Sequence, residues 1–148
     1  MKRVTDLLTA LVFISLIVFI SCKKGDDGPS GPTPEEETLA LLLGTWELES
    51  ASESGTEREE WEGFSITISE SSITASGIPN LDGASDVWST NSTWDFGDAP
   101  SIINREDGIT MNIAVTETQL TVSNLTISGS SNRISGFSGV WKFVFTKQ

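Results

Sequence analysis

From Gly44 to Thr146 apolar and polar residues alternate with period two, and this pattern constrains the fold more than any other feature. Trp46, Leu48 and Ser50 fall on one face, with Glu47 and Glu49 on the other. Phe64, Ile66 and Ile68 alternate with Ser65, Thr67 and Ser69; Ile73 and Ala75 lie between Ser72, Thr74 and Ser76. Trp88 and Thr90, then Trp94 and Phe96, mark a strand region over 87–97, with a bulge expected at Asn91–Ser92. Ser101–Arg105 is a shorter candidate. Ile109, Met111, Ile113 and Val115 alternate with Thr110, Asn112 and Ala114. Leu120 and Val122 share a face, but Leu125 and Ile127 are out of phase with them, which places a bulge near Ser123–Asn124. Trp141, Phe143 and Phe145 alternate with Lys142, Val144 and Thr146.

About eight strands result, separated by clusters of Gly, Asn, Asp, Ser and Pro. One face is apolar and the other rich in Ser and Thr, as a half-solvated antiparallel sheet requires. The absence of a helical pattern between strands excludes βαβ folds. The expected fold is all-β: an eight-stranded antiparallel up-and-down barrel with one short N-terminal helix, since closure removes long open edges. A β-sandwich is the competing architecture.

Met1-Lys2-Arg3 is a short basic start, followed by an apolar run from Leu7 to Ile20. That run falls short of the roughly 20 apolar residues that span a bilayer and fits the apolar region of a secretory signal. Ser21 and Cys22, the single Cys of the 148 residues, follow at its end. Removing residues 1–21 leaves 7 of the 9 basic and 20 of the 21 acidic residues, a formal charge of −13. Such a balance argues against nucleic-acid binding, which needs a basic face.

Residues 22–37 form an expected flexible acidic tether: Gly, Pro and charge dominate after Cys22, and no apolar residue offsets the ordering entropy. Pro34 and the acidic triplet Glu35–Glu37 supply a helix start, so a short helix is expected over 35–43, ended by Gly44. Its leucines brace one end of the sheet. The domain itself is expected over 38–148.

Two resemblances add to this. Phe19-Ile20-Ser21-Cys22 resembles the lipobox of bacterial lipoproteins. That implies cleavage of the signal peptide 1–21 before Cys22, lipidation of the Cys22 sulfur with palmitate-type acyl chains, and membrane anchoring through that lipid. Lys23-Lys24-Gly25-Asp26-Asp27 looks like the acidic export signal of surface lipoproteins in Bacteroidota. The implied place is the bacterial cell envelope, at the outer membrane, with surface display and the periplasmic side both open.

Leu43-Gly44-Thr45-Trp46 resembles the Gly-x-Trp opening of lipocalins and of small lipocalin-like lipoproteins of Bacteroidota. Val140–Lys147 resembles the closing strand of those domains. The resemblance implies that Gly44 turns the chain into the barrel and that Trp46 closes its base against the last strand. Lipocalins stack an Arg near the last strand on that Trp; here Arg133, Lys142 and Lys147 are the candidates. Their Asp-Tyr motif has no counterpart, since the chain has no Tyr.

Five Trp and seven Phe are the main functional clue. Trp46 and Trp141 read as core residues. Alternation places Trp88, Trp94, Ile66, Ile68, Met111 and Ile113 inside the barrel, where they would fill it or line a small-ligand cavity. Trp61 sits among acids, either as an exposed lid or partner anchor, or as a turn residue folded back over the barrel mouth. Glu53, Glu57, Glu59, Glu60 and Glu62 form an acidic run, read as a solvated face or as a rim for a cation or a basic protein. Asp82, Asp86, Asp95 and Asp98 lack the EF-hand spacing, and turn chemistry explains them, so no metal is expected.

With no His and one Cys, the usual triads and zinc sites are excluded. Gly136–Gly139 is one residue short of a nucleophile elbow. No catalytic residue and no cofactor are assigned. Two functions stay open: a barrel binding a small apolar or amphipathic molecule, and a protein-binding module such as an envelope-tethered inhibitor.

Overall fold

The computed structural model describes residues 31–127 and 139–148. The expected signal peptide 1–21, Cys22, the expected tether up to residue 30, Arg133 and most of Gly136–Gly139 lie outside the described residues.

Helix α1 spans Pro34–Leu42. Thr33 caps it: its hydroxyl accepts from the Glu36 backbone N–H at 3.2 Å, and the Glu36 carboxylate accepts from the Thr33 N–H at 2.7 Å. Reciprocal capping, Pro34 in the first turn and three glutamates near the positive end of the dipole explain why it starts there. The stretch counted to the tether up to Glu37 is thus helical from Pro34. Leu42 is fully buried and Leu39 packs on the core, so the helix braces the barrel's base.

The strands are β1 (Gly44–Glu53), β2 (Thr56–Glu57), β3 (Ser65–Ile68), β4 (Ser72–Ser76), β5 (Asn91–Phe96), β6 (Ile102–Arg105), β7 (Thr110–Val115), β8 (Gln119–Ile127) and β9 (Gly139–Lys147). A helical turn, α2, covers Ala84–Val87. Every strand pairs antiparallel with its sheet neighbours in the order β2-β1-β3-β4-β5-β6-β7-β8-β9, and β9 returns to β1. The result is a closed eight-stranded up-and-down barrel of lipocalin-like architecture, with β2 as a two-residue appendage on β1. Closure pairs β1 with β3 on one side and β9 on the other, so the barrel lacks the open edge strands that a sandwich keeps.

The bulge at Ser123–Asn124 is present: the β8–β9 register shifts between Val122 and Leu125, and Asn124 has a φ of +56°. Leu120, Val122, Leu125 and Ile127 therefore all face inward. A second bulge, between Leu48 and Ser50, overturns the simple alternation of β1. Past it, Ala51 and Glu53 turn inward and Ser50 is exposed. The extra residue, Glu49, flips the phase, so Ser50 does not share the Trp46 face.

The 87–97 strand is also corrected. Trp88 caps the end of α2, and the strand starts only at Asn91. No bulge interrupts Asn91–Ser92, which pair regularly with Thr74 and Ile73. Trp88 and Trp94 are both buried, but on different elements.

Candidate functional site

The interior is built by the inward residues of the strands together with two tryptophans from outside them. Trp61 comes from a 3-10 turn (Glu59–Trp61) and Trp88 from the end of α2. Near the mouth, where Glu53 pairs with Trp141 in register, the rings interlock. Trp61 meets Phe64 at 5.0 Å, Phe143 at 5.2 Å and Trp141 at 5.6 Å, each edge to face. Trp88 meets Phe64 and Phe143 at 5.7 Å and Phe145 at 6.5 Å. Trp141, Phe143 and Phe145 stack along β9 at 5.6 and 6.1 Å. These are ordinary contact separations for paired aromatic rings.

Ile66, Ile68, Met111, Ile113, Trp88 and Trp94 are all buried. All six belong to one buried apolar core. Trp88 belongs to the ring cluster, whereas Trp94 packs on Phe96 at 5.1 Å and donates its indole N–H to the Ser69 carbonyl at 3.1 Å. Trp61 is fully buried, so of its two readings the turn residue folded over the mouth is the one observed.

Two charged residues lie inside the barrel: Arg105, which had no site reading in the sequence, and Glu53, which was read as part of the acidic run. Arg105, on β6, is 3 % exposed. It donates to the Val87 carbonyl at 2.8 Å, forms an ion pair with Asp107, and lies 5.1 Å from the Trp88 ring centroid. Burial pushes the Arg105 guanidinium below its ordinary pKa, and Asp107 opposes that shift. Glu53 is also buried and pairs with Arg58 at 2.5 Å, so it leaves the solvated acidic run. The parity shared by Ile103 and Arg105 was the available signal for Arg105. For Glu53 there was none, since the Glu49 bulge sets its side.

Outside, an open groove of about 480 Å³ runs where β1 parts from β3. Leu48, Glu49, Ser50 and Ala51 of β1 line one side, with only Glu49 and Ser50 exposed; Glu57, Arg58, Glu59 and Glu62 line the other. Arg58 binds Glu60 at 2.6 Å as well as Glu53 and lies 5.3 Å from the Trp141 ring centroid.

Charge is sorted by depth. Of the four described cations, Arg58, Arg105 and Lys147 each stand over a tryptophan ring, and Lys142 is the one exposed. Of the 18 described carboxylates, all but Glu53 are exposed. Among the described residues no group of three or more His, Cys, Asp or Glu is placed to hold a metal, and Asp82, Asp86, Asp95 and Asp98 form no such group.

No family model, no curated protein and no solved structure matches this chain.

Proposed function

We propose that the chain is a lipid-anchored protein of the bacterial cell envelope, held to the outer membrane through Cys22, and that its barrel is an interaction module for a cationic segment of a protein partner. The supporting observation is the sorting of charge. Three cations are withdrawn onto tryptophan rings, and the described surface keeps 17 exposed carboxylates against one exposed lysine. A surface of one sign steers an oppositely charged partner and repels anionic ones. The β1–β3 groove supplies a concave face on that surface, with Glu57, Glu59 and Glu62 along one wall and Glu49 and Ser50 along the other; the Arg58 that also lines it is already paired with Glu53 and Glu60. Carboxylates on both walls suit the charged head of a Lys or Arg side chain.

A small apolar ligand in the interior would need volume that the ring cluster of Trp61, Phe64, Trp88, Trp141 and Phe143 occupies. The interior is therefore the scaffold in this reading, and the outer face is the recognition surface. No catalytic role is assigned to it.

The test is calorimetric titration of the delipidated mature chain with a peptide of alternating Lys and Gly. Saturable binding that weakens as salt is raised is expected. Replacing Glu57, Glu59 and Glu62 together by Gln should weaken it about fivefold or more. Absent binding, or binding indifferent to salt and to these substitutions, would overturn the reading.

A further inference from the structure

We propose that Trp61 is a displaceable stopper, and that a flat, neutral aromatic molecule of indole size enters the barrel mouth by taking the place of its side chain. The inference goes beyond the recognition of a cationic segment and stands independently of it.

The first ground is where the ring comes from. Trp46, Trp94 and Trp141 lie on barrel strands. Trp61 is delivered by a three-residue 3-10 turn in the connection between β2 and β3. Its ring is walled by Phe64, Trp141 and Phe143, each nearly perpendicular to it, at 83°, 68° and 79°. With the Trp61 ring withdrawn, the slot left is ring-shaped and aromatic on three sides. A planar ligand would make the same edge-to-face contacts that Trp61 makes, so the exchange replaces like with like.

The second ground is how the segment is held. Its backbone ties to β1 through the two-residue β2 ladder and the bond from the Arg58 N–H to the Ala51 carbonyl at 2.9 Å. The side-chain latch is Arg58, paired with Glu53 and Glu60. Part of that latch is exposed, where ion pairs are weak and screened by salt.

The third ground is the hinges. Ser54 and Gly55, before the turn, have φ of +49° and +84°; Gly63, after it, has +80°. Open space surrounds the Cβ positions of both glycines. Gly55 is where the segment would pivot, since at Gly63 the carbonyl packs against Gly77.

The experiment uses the delipidated mature chain labelled with 5-fluorotryptophan, the Trp61 fluorine resonance being assigned by its loss in Trp61→Phe. Indole is titrated in. The expected result is saturable binding with the Trp61 resonance moving toward the position of solvent-exposed fluorotryptophan. Arg58→Gln loosens the latch, raises the open fraction and should tighten apparent binding about tenfold, because apparent affinity scales with that fraction. If Arg58→Gln fails to fold, Glu60→Gln removes the outer ion pair with an effect of the same sign. The proposal is overturned if indole does not bind wild type saturably, or if it binds while the Trp61 resonance stays at its buried position. Neither result bears on the cationic-peptide titration.

Discussion

The ammonium of Lys147 stands 5.0 Å from the centroid of the Trp46 ring, and the two residues face each other in register where β9 meets β1. Both also reach the end of α1. Lys147 donates to the Leu41 carbonyl and Trp46 Nε1 to the Leu42 carbonyl, each at 2.8 Å. One pair thus closes the barrel seam and satisfies two carbonyls that the helix leaves open. Of the three candidates for the cation stacked on the opening Trp, Lys147 takes the role; Lys142 is exposed and Arg133 lies outside the described residues.

Trp46→Ala should destabilise the domain by about 3–5 kcal/mol, the range for losing a large buried aromatic. Lys147→Ala should cost about 1–2 kcal/mol, combining a cation–ring contact with a charge-assisted hydrogen bond. Urea denaturation of both single variants and the double variant should show coupling of at least about 0.5 kcal/mol, since the side chains touch. Strict additivity would mean that the two act separately.

Arg105→Met tests whether the buried guanidinium holds the barrel or merely occupies space. Replacing a buried charge by an apolar side chain can be neutral when its partners are re-solvated. Asp107 is partly exposed and can be, but the Val87 carbonyl then loses the bond it has from Arg105. A loss of about 1–3 kcal/mol is expected from that unpaired acceptor. Arg105→Lys should recover little of it, because an ammonium cannot fork between Val87 and Asp107. Equal stability of wild type and Arg105→Met in thermal melts would show that the pairing contributes nothing net.

Gly77→Ala should destabilise the fold by about 1–3 kcal/mol through backbone strain. Gly77 has a φ of +71°, and an added Cβ would lie 2.3 Å from the Gly63 carbonyl oxygen. Backbone cannot yield as a side chain tip would. A change below about 0.5 kcal/mol in chemical denaturation would show that the β3 and β4 ends separate freely.

Cys22→Ala should leave the precursor uncleaved and free of acyl chains, since Cys22 is the single thiol available. Incorporation of labelled palmitate and the mobility of the mature band measure this. A variant that matures and fractionates with membranes like wild type would rule out the lipobox reading.

Much of the frame was legible because it rests on local periodicity. Trp141, Phe143 and Phe145 alternate without interruption and all face inward. The phase change at Ser123–Asn124 announced its bulge. Pro34 and the glutamates after it marked the helix start to within a residue. The β1 bulge was not legible: Glu49 and Ser50 continue the alternation on paper, and only the β9 register reveals the shift. Trp88 illustrates the opposite error, since its shared parity with Trp94 suggested one strand where the chain makes a helical turn first.

The amino-acid order alone determined the strand count of the barrel, the inward set on most strands and the acidity of the chain, because side-chain direction in a strand depends only on the pleat. The ring cluster's occupants, the inward turn of Glu53, the burial of Arg105 over Trp88 and the pairing of Lys147 with Trp46 were decided only in the closed barrel. Each depends on residues far apart in the chain. Closure sets which of them share the interior and how the strands slide past one another, and neither follows from the spacing of residues along one strand.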